Sequence, residues 1–325
     1  MRVLVTGGAG FIGSHVVRIF LAQGATVTIL DNLSSGKRDN IPDGVAFVHD
    51  DIRSAEASRL VQDSGFDVIC HLAAQIDVRK SVEDPAFDVD VNIGGTVRLL
   101  EAVRASGKRT TRFVFSSTGG ALYGDLVPLP TAEEAPKDPQ SPYGVAKLSV
   151  EYYMGYFARV HGLNTVALRY GNVYGPRQDS HGEAGVVAIF CERILHGHPL
   201  TVFGDGKQTR DYVYAGDVAR ANLLAATGTI PAAGSLDVRA FNIGTGVETD
   251  VVTLARLLKE SAGSDTPVQH AAGRPGEVRR SALDAAKALD LLSWAPMVTF
   301  QEGLAETYEW FATEHDIGSR QVVVS

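Results

Sequence analysis

The chain has 325 residues, 45% of them hydrophobic and 21% charged, with a formal net charge of -8. This length predicts two domains, or one α/β domain with a large appendage, and the composition is typical of a soluble globular protein. Because lysines and arginines are scattered in an acidic chain, bulk attraction to nucleic acid or to an anionic membrane is not expected, although a local basic pocket for phosphates stays compatible with this balance.

The cysteines and the first residues bear on the compartment. Cys70 and Cys191 each lie in an apolar run, which predicts buried thiols, and their spacing fits neither a metal site nor a disulfide framework. The sequence begins directly on a strand pattern without the zones of a signal peptide, and no apolar run reaches membrane-spanning length. We therefore expect a protein of the reducing cytoplasm that binds no metal.

Short β-branched runs alternate with longer amphipathic stretches in the first half of the chain. The strand candidates share this β-branched, apolar character and cover residues 3–6, 26–30, 45–49, 67–72, 112–117 and 165–170. Several are apolar at every position, as strands of a parallel sheet are when helices cover both faces. The amphipathic stretches predict helices, one ending at Gly24 and one spanning residues 90–105. These units predict an α/β fold with a Rossmann-type, doubly wound parallel sheet and right-handed crossovers.

The pattern changes after about Tyr174. Polar, glycine-rich loops then surround one predicted helix, VVAIFCERIL, the run AFNIGTG resembles a buried strand that returns to the first sheet, and the remainder is mostly helical. We interpret this part as a smaller mixed α/β substrate domain packed over the carboxyl ends of the strands, where open α/β folds bind ligands. The predicted division is residues 1–174 with 212–246 for the Rossmann domain, and residues 175–211 with 247–325 for the substrate domain.

A glycine-rich turn follows the first predicted strand, in TGGAGFIGSH. Gly7, Gly10 and Gly13 are spaced G-x-x-G-x-x-G, which differs from the standard dinucleotide fingerprint by one residue at the first glycine. A tight strand-to-helix turn without side chains lets the backbone approach a pyrophosphate at the positive end of a helix. The turn predicts a bound dinucleotide, although glycines are common in turns of every kind.

An acidic residue lies at the position where a dinucleotide-binding fold contacts the adenosine ribose. Asp31 ends the second predicted strand, 18 residues beyond Gly13. A carboxylate there can hydrogen-bond the adenosine ribose hydroxyls and repels a 2′-phosphate, which favours NAD over NADP. Lys37 and Arg38 follow soon afterwards and could accept a phosphate, and a strand-end turn is the structural alternative for Asp31. The glycine turn and the acid together predict NAD.

The stretch SPYGVAK places a tyrosine and a lysine on one face of a predicted helix. Ser141 is a good N-cap, Pro142 suits the first turn, and Tyr143 and Lys147 are then i and i+4. A free tyrosine has a pKa of about 10 and is a poor base, but a neighbouring ammonium and a positively charged nicotinamide both favour the phenolate. The pair is therefore a candidate acid–base centre beside the Ser/Thr loop of residues 116–118. A capped surface helix with a chance pair is the alternative.

These motifs resemble those of the extended short-chain dehydrogenase/reductase family over nearly the whole chain. The matching stretches are TGGAGFIGSH, DN at 31–32, DI at 51–52, HLAAQ at 71–75, VNIGGT at 91–96, the Ser/Thr loop and YGVAK. Within that family the chain is similar to the UDP-glucose 4-epimerases. The stretches that carry this closer similarity are LRYGNVYGPRQ, FGDGKQTRDYVY, FNIGTG and RPGE.

The resemblance implies a role for each matching residue. Tyr143 would remove the proton of the sugar 4-hydroxyl, and Lys147 would lower the pKa of Tyr143 and hold the nicotinamide ribose. Thr118, or alternatively Ser117, would hydrogen-bond the same sugar oxygen. The choice stays open because STGGALYG is one residue longer than the commoner family loop, and turn chemistry alone is the alternative for Thr118.

The resemblance also implies two sets of binding residues. The residues expected to contact NAD are Gly7, Gly10, Phe11, Ile12, Gly13, Asp31, Asn32, Asp51, Ile52, Leu72, Ala73, Ala74, Asn92, Ser116, Tyr143, Lys147 and Tyr170. Phe11 and Leu72 could equally be core residues. The residues expected to contact a UDP-sugar are Thr118, Asn172, Phe203, Arg210, Arg274, Glu277 and Ser281. The two arginines would neutralise the diphosphate through forked donors.

The implied reaction is a reversible, redox-neutral epimerisation at C4 of a UDP-hexose, through a 4-keto sugar and tightly held NAD. Counting from RPGE, Ser281 occupies a position where some epimerases carry a bulky tyrosine, so its small side chain would admit an N-acetyl group; an N-cap role is the alternative. A 4,6-dehydratase would need a carboxylate beside Thr118, where the chain has Gly119 and Gly120. Two further hypotheses are a UDP-uronate decarboxylase and a non-catalytic dinucleotide-binding protein.

Assembly is a further expectation from the resemblance. Relatives in the family are often homodimers that pair through a four-helix contact. The helices predicted over residues 84–106 and 143–160 could form it, although their apolar positions also suit packing within one chain.

Overall fold

The fold is built on a parallel sheet. The computed structural model describes residues 1–180, 185–273 and 278–323, with side chains as far as residue 314. The strands in chain order are β1 (Arg2–Thr6), β2 (Thr26–Asp31), β3 (Ala46–His49), β4 (Val68–His71), β5 (Arg112–Thr118), β6 (Asn164–Tyr170), β7 (Asn172–Tyr174), β8 (Leu200–Phe203), β9 (Thr209–Arg210), β10 (Tyr212–Tyr214), β11 (Ala240–Ile243), β12 (Thr249–Asp250) and β13 (Val268–Ala271). The large sheet has seven parallel strands in the order β3-β2-β1-β4-β5-β6-β11. The predicted Rossmann-type sheet is confirmed, and so is the return of AFNI to it.

Helices cover both faces of this sheet. In chain order they are α1 (Phe11–Ala22), α2 (Ala55–Ser64), α3 (Val78–Glu83), α4 (Pro85–Asp88), α5 (Thr96–Ala105), α6 (Pro142–His161), α7 (Val186–Leu195), α8 (Ala215–Thr227), α9 (Val251–Ala262), α10 (Ala286–Leu292) and α11 (Phe300–Val323). Apolar residues of α1, α8 and α10 pack on one face of the sheet, and those of α2, α5 and α6 pack on the other. Both faces are therefore dry, which explains why the strands are apolar at successive positions.

The chain reverses its direction of travel across the sheet between β1 and β4. From β1 it proceeds outward through β2 to β3, and β4 then starts the second half on the other side of β1. The connections that leave the carboxyl ends of β1 and β4 diverge at this point and open a crevice, which is where open α/β sheets bind ligands. The predicted glycine turn lies in the first of these connections, so the fold places it at the crevice.

The later part of the chain adds three small sheets. β7 pairs with β10 and β8 with β13 in parallel, whereas β9 pairs with β12 in antiparallel orientation. A separate apolar cluster formed mainly by α7, α9, β8 and α11 supports them. Helix α8 and strand β11 pack with the large sheet, while β10 does not join it. The division into two domains stays a prediction.

The helix predicted over residues 90–105 has an unexpected first half. Residues Val89–Gly95 form a π-helix, and α5 begins only at Thr96. A Cβ on Gly95 would lie 2.6 Å from the Ile52 side chain, so close approach to the neighbouring connection requires glycine there. Glycine also weakens the preference for regular α-helix. π-Helical turns occur frequently at functional sites, and this one borders the crevice.

A buried ion cluster joins β5, β6 and α6. The Arg169 guanidinium is fully buried and donates to both carboxylate oxygens of Glu151 at 2.6–3.2 Å and to Asp237 at 2.8 Å. It also donates to the Tyr123 hydroxyl at 2.9 Å. Because a buried charge is tolerated only when it is paired and hydrogen-bonded, this cluster fixes where α6 lies along the strands.

Candidate active site

The glycine turn brings bare backbone to the crevice. Gly7 has a φ of +69°, and a Cβ there would lie 2.7 Å from the Ala73 amide nitrogen. A Cβ on Gly13 would lie 2.0 Å from the Gly7 carbonyl oxygen, closer than any side chain tolerates. Helix α1 then begins at Phe11 without a side-chain cap, so its first amide groups face the crevice. This cradle, which any Cβ would fill, fits the pyrophosphate of a dinucleotide.

Asp31 hydrogen-bonds the backbone at the edge of this cradle. Its two carboxylate oxygens accept hydrogen bonds from the amides of Ala9 at 3.0 Å and Leu33 at 2.8 Å. The nearby cations have other partners: Lys37 lies 3.5 Å from Asp179, and Arg38 stacks on the Phe47 ring. The strand-end turn considered for Asp31 is thus present, and it places the carboxylate beside the cradle. Contact between Asp31 and an adenosine ribose stays a prediction.

A second set of predicted cofactor residues lines the next connections. Asn32 donates to Asp51 at 2.9 Å, and hydrogen bonds from Arg53 lower the pKa of Asp51 to about 2. Ile52 is buried. Ile12 and Leu72 pack against the core, which supports the structural alternative considered for Leu72.

Asn92 orders the loop that follows β4. Its side chain accepts from the Gln75 amide and donates to the Gln75 carbonyl, both at 2.9 Å. It also donates to Asp88 at 3.0 Å. At the start of the same loop the Ala73 amide donates to the Thr6 hydroxyl at 3.2 Å. Asn92 therefore shapes one wall of the crevice, and a direct contact between Asn92 and the cofactor stays a prediction.

The Tyr143–Lys147 pair lies on the first turns of α6. The Ser141 hydroxyl accepts from the Gly144 amide at 3.2 Å, so the predicted N-cap is present. The Lys147 ammonium is buried, donates to the Ser116 carbonyl at 2.8 Å and lies 5.7 Å from the centre of the Tyr143 ring. Burial lowers the pKa of Lys147 to about 8. A buried cation beside a phenol favours the phenolate, as the sequence pattern requires.

Ser117 and Thr118 face different surroundings. Ser117 is buried, and its hydroxyl donates to Glu151 at 2.6 Å inside the ion cluster. Thr118 ends β5, and a Cβ built on Gly120 would lie 3.9 Å from the Thr118 hydroxyl and 3.8 Å from the side-chain oxygen of Asn172. Two predicted substrate residues thus converge on Gly120. This geometry favours Thr118 over Ser117 for a contact with substrate.

Tyr170 is buried at the end of β6, where its hydroxyl accepts from Asn222 at 2.8 Å and burial raises its pKa. Ser116 contributes to the same environment through a side-chain hydrogen bond to Tyr170. These two predicted cofactor residues thus interact near the carboxyl ends of the paired strands β5 and β6.

The predicted substrate residues are spread over several connections. Arg210 donates to the carbonyls of Thr209 and Val278 at 2.8 Å, and Phe203 ends β8 in a partly buried position. Ser281 is buried and is not an N-cap, because α10 begins only at Ala286. Arg274 and Glu277 lie outside the described residues.

Asp211 is a buried carboxylate that the sequence analysis missed. It accepts from the amides of Thr245, Gly246 and Leu283 and from the Thr245 hydroxyl, at 2.6–3.0 Å. It thereby binds two distant connections to the strand that carries Arg210. The available signal was an acid directly after that arginine, between two short strands.

A segment after β7 contacts the first turns of α1. The Pro176 carbonyl lies 2.8 Å from the His15 ring nitrogen, and Arg177 donates to the Ser14 hydroxyl at 2.8 Å. Arg177 adopts a φ of +68°, which non-glycine residues rarely do. Burial lowers the pKa of His15 to about 4, so this ring is neutral at neutral pH. These contacts hold the segment after β7 against the first turns of α1.

Within residues 1–180, 185–273 and 278–314, no three His, Cys, Asp or Glu side chains come together as a metal site. Among the described helices none combines the length and the apolar character needed to cross a membrane.

Three comparisons describe what this chain is similar to. The model of the NAD dependent epimerase/dehydratase family matches residues 3–244. A UDP-glucose 4-epimerase of Mycolicibacterium smegmatis is 45% identical over 96% of this chain and 98% of its own length. The crystal structure of a Thermotoga maritima UDP-glucose 4-epimerase with UDP-glucose has a TM-score of 0.91 at 48% identity, covering 97% of this chain and 100% of that one. The NAD complex of a Thermus thermophilus UDP-glucose 4-epimerase has a TM-score of 0.87 at 46% identity, covering 96% and 99%.

We expect Gly13→Ala to abolish cofactor retention. The added methyl group would meet the Gly7 carbonyl oxygen at 2.0 Å, so the turn must open and the cradle is lost. The measurement is the NAD released per protein chain on denaturation. Gly24→Ala is the control. A Cβ on Gly24 would meet no atom within 4 Å, so this variant should lose only about 1 kcal/mol of stability, because of its positive φ of +72°, and keep its NAD. Normal NAD content in Gly13→Ala would contradict the assignment of the turn.

Proposed function

We propose that this chain, which belongs to the NAD dependent epimerase/dehydratase family, interconverts UDP-hexoses that differ in configuration at C4, foremost UDP-glucose and UDP-galactose. The observation that carries this proposal is the buried Lys147 ammonium beside the Tyr143 ring, at the carboxyl edge of the sheet that also holds the glycine turn. The similarity to UDP-glucose 4-epimerases over nearly the whole chain supports it.

The residues divide the chemistry at C4 between them. The Tyr143 phenolate accepts the proton of the 4-hydroxyl, and the Lys147 ammonium stabilises that phenolate. NAD, when bound, supplies hydride acceptance and return at C4. Thr118 hydrogen-bonds the 4-oxygen, and Tyr143 gives its proton back to that oxygen after the sugar has turned its other face. One proton and one hydride leave the sugar and both return, so the reaction is redox-neutral.

We assign binding of the nucleotide part of the UDP-sugar to residues in the later part of the chain. Arg210 and, by sequence resemblance, Arg274 bind the diphosphate, Asn172 and Phe203 border the nucleotide and sugar, and Glu277 takes a ribose hydroxyl. Binding energy from the nucleotide then orients the sugar without gripping it, which suits a reaction in which the sugar must turn over.

Two enzyme classes compete with this proposal. Elimination by a 4,6-dehydratase needs an acid next to Thr118, and the chain has Gly119 there, packed so closely on Leu283 that a Cβ would lie 2.4 Å from that side chain. No carboxylate can replace this glycine without moving Leu283. A UDP-uronate decarboxylase places less distinctive requirements on the sequence, and this activity is the second candidate function. A non-catalytic dinucleotide-binding protein would have no use for a buried Lys147 ammonium beside the Tyr143 ring.

We further propose a cytoplasmic homodimer. Helix α6 exposes Val145, Tyr152, Tyr153, Tyr156 and Val160, an apolar face adjoining the exposed Phe87 and Val89. A second copy of this chain is the proposed occupant, because the same face of two copies would bury both in a four-helix contact. A molar mass from light scattering near that of one chain would oppose this assembly. The buried free thiols of Cys70 and Cys191 suit a reducing compartment.

We expect the purified protein to convert UDP-galactose to UDP-glucose without added NAD, as followed by proton NMR. Tyr143→Phe should lower kcat by about 10³-fold or more while NAD stays bound, because only the phenolic oxygen is removed. Tyr308→Phe, on α11, is the matched control and should keep full activity. Release of water or of CO2 from suitable UDP-sugars would instead indicate a dehydratase or a decarboxylase.

Thr118→Val should lower activity and spare stability, whereas Ser117→Ala should lower stability and spare activity. Thr118→Val keeps the shape of the side chain but removes the hydroxyl, so kcat should fall about 10²-fold with little loss of stability. Ser117→Ala leaves Glu151 with one donor fewer in the buried cluster, so the urea midpoint should fall while kcat changes little. If Ser117→Ala loses the activity and Thr118→Val does not, the assignment is reversed.

We expect activity on UDP-GlcNAc and UDP-GalNAc as well, limited by the residue at position 281. Ser281→Tyr adds a ring beside the sugar pocket and should lower kcat/KM for UDP-GalNAc about 10²-fold while sparing UDP-galactose. Ser281→Ala is the control and should spare both substrates. N-acetyl activity that survives in Ser281→Tyr would show that this residue does not limit the pocket.

A further inference from the structure

Asp88 is a buried carboxylate, and hydrogen bonds from the described residues reach only one of its two oxygens. It ends α4, where the π-helix begins, and its side chain is fully buried. One oxygen accepts from Gln75 and from Asn92, both at 3.0 Å. The other has no hydrogen-bond partner among the described residues although it is buried. Both donors are neutral amides, and a buried carboxylate without a cation is costly.

Lys147 is the candidate cation for the Asp88 carboxylate. Helix α4 and the π-helix pack against α6, the helix that carries this lysine. The charges of Asp88 and Glu151 both act on the Lys147 ammonium through space and raise its pKa against the effect of burial. Glu151 already has Arg169 as its cation, with three hydrogen bonds between them. Among the described residues Asp88 makes no direct ion pair, so its charge, unlike that of Glu151, is not already matched by an arginine.

The remaining titratable groups around Lys147 do not supply a negative charge at neutral pH. His71 is buried between the hydroxyls of Thr6 and Thr96, and burial together with Lys147 lowers its pKa to about 3, so it is neutral. Tyr143 is neutral when protonated and negative only as the phenolate that the reaction uses. Of the two acids that act on Lys147, Asp88 is therefore the one whose negative charge is not matched by an arginine.

We propose that Asp88 is a positioning residue of the active site, whose carboxylate is the resident counter-charge of the Lys147 ammonium. This inference rests on the proposed function, since it concerns the lysine assigned there to stabilise the phenolate. The clamp on Gln75 and Asn92 does not explain an aspartate, because an amide carbonyl would accept the same two hydrogen bonds. The negative charge is the property that an asparagine at this position would lack.

The charge has a definite effect on proton equilibria. Burial lowers the pKa of Lys147 and raises that of Asp88, and each group's charge opposes the shift of the other. Removing the Asp88 charge would lower the pKa of Lys147 further, so the ammonium would be lost at a lower pH. It would also leave the Lys147 charge uncompensated beside the Tyr143 ring, which favours the phenolate and lowers the pKa of Tyr143.

The test is the pH profile of kcat/KM for UDP-galactose in Asp88→Asn, which keeps the shape and the clamp. The acid limb needs Tyr143 deprotonated and the alkaline limb needs Lys147 protonated, so both limbs should move about one unit to lower pH. The resonance of a ¹³Cζ-labelled Tyr143 should titrate at a correspondingly lower pH. Asp63→Asn, on the exposed side of α2, is the matched control and should move neither limb.

Stability offers a readout that needs no activity. Lys147→Met leaves the Asp88 carboxylate without its cation, so Lys147→Met/Asp88→Asn should have a higher urea midpoint than Lys147→Met alone. Additive losses in the double variant would overturn the proposal, and so would a profile of Asp88→Asn that loses height while both limbs stay in place. Activity retained in Tyr143→Phe would instead overturn the proposed function, and the stability comparison would still decide the role of Asp88.

Discussion

The hydrogen bond from the Lys147 ammonium to the Ser116 carbonyl governs the geometry of the candidate site. At 2.8 Å it ties the first turns of α6 to the last residues of β5. Tyr143 lies one helical turn before this lysine and Thr118 lies two residues beyond the accepting carbonyl, so the bond ties together the two elements that carry them. A backbone carbonyl is a neutral acceptor, so it fixes the cation without cancelling its charge. That charge stays available to act on the Tyr143 phenol.

The ion cluster behind the site protects this arrangement. Tyr143, Lys147 and Glu151 follow each other at intervals of four along one face of α6, so Glu151 could compete with Ser116 for the ammonium. Arg169 prevents this, because it binds both oxygens of Glu151. Lys147 is left bonded to the Ser116 carbonyl of β5. The buried arginine thus keeps Glu151 from engaging the Lys147 ammonium, and it also links β6 to α6.

The sequence predicts the sheet and the tyrosine–lysine pair because both depend on local periodicity. Apolar runs mark buried strands, and an N-cap with a proline fixes the phase of α6. The sequence could not choose between Ser117 and Thr118, because alternation along β5 tells that they face opposite ways but not which way faces the crevice. Asp88 and Asp211 escaped for another reason. Their role comes from donors that are distant in sequence, such as Gln75 for one and Leu283 for the other, and no spacing rule brings these together.

Buried carboxylates perform the same physical task at the two ends of the crevice. Asp31 accepts two backbone amides and stiffens the cradle for the dinucleotide, while Asp211 accepts three amides and a hydroxyl and stiffens the wall that carries Arg210. Between these ends the chain has Gly119 and Gly120, which offer no side chain to grip a sugar. Epimerisation requires this distribution, because the sugar must present both faces of C4 while its nucleotide stays bound. The proposed assignment therefore puts buried hydrogen-bonded carboxylates where the nucleotides would be held, and glycines where the sugar would turn.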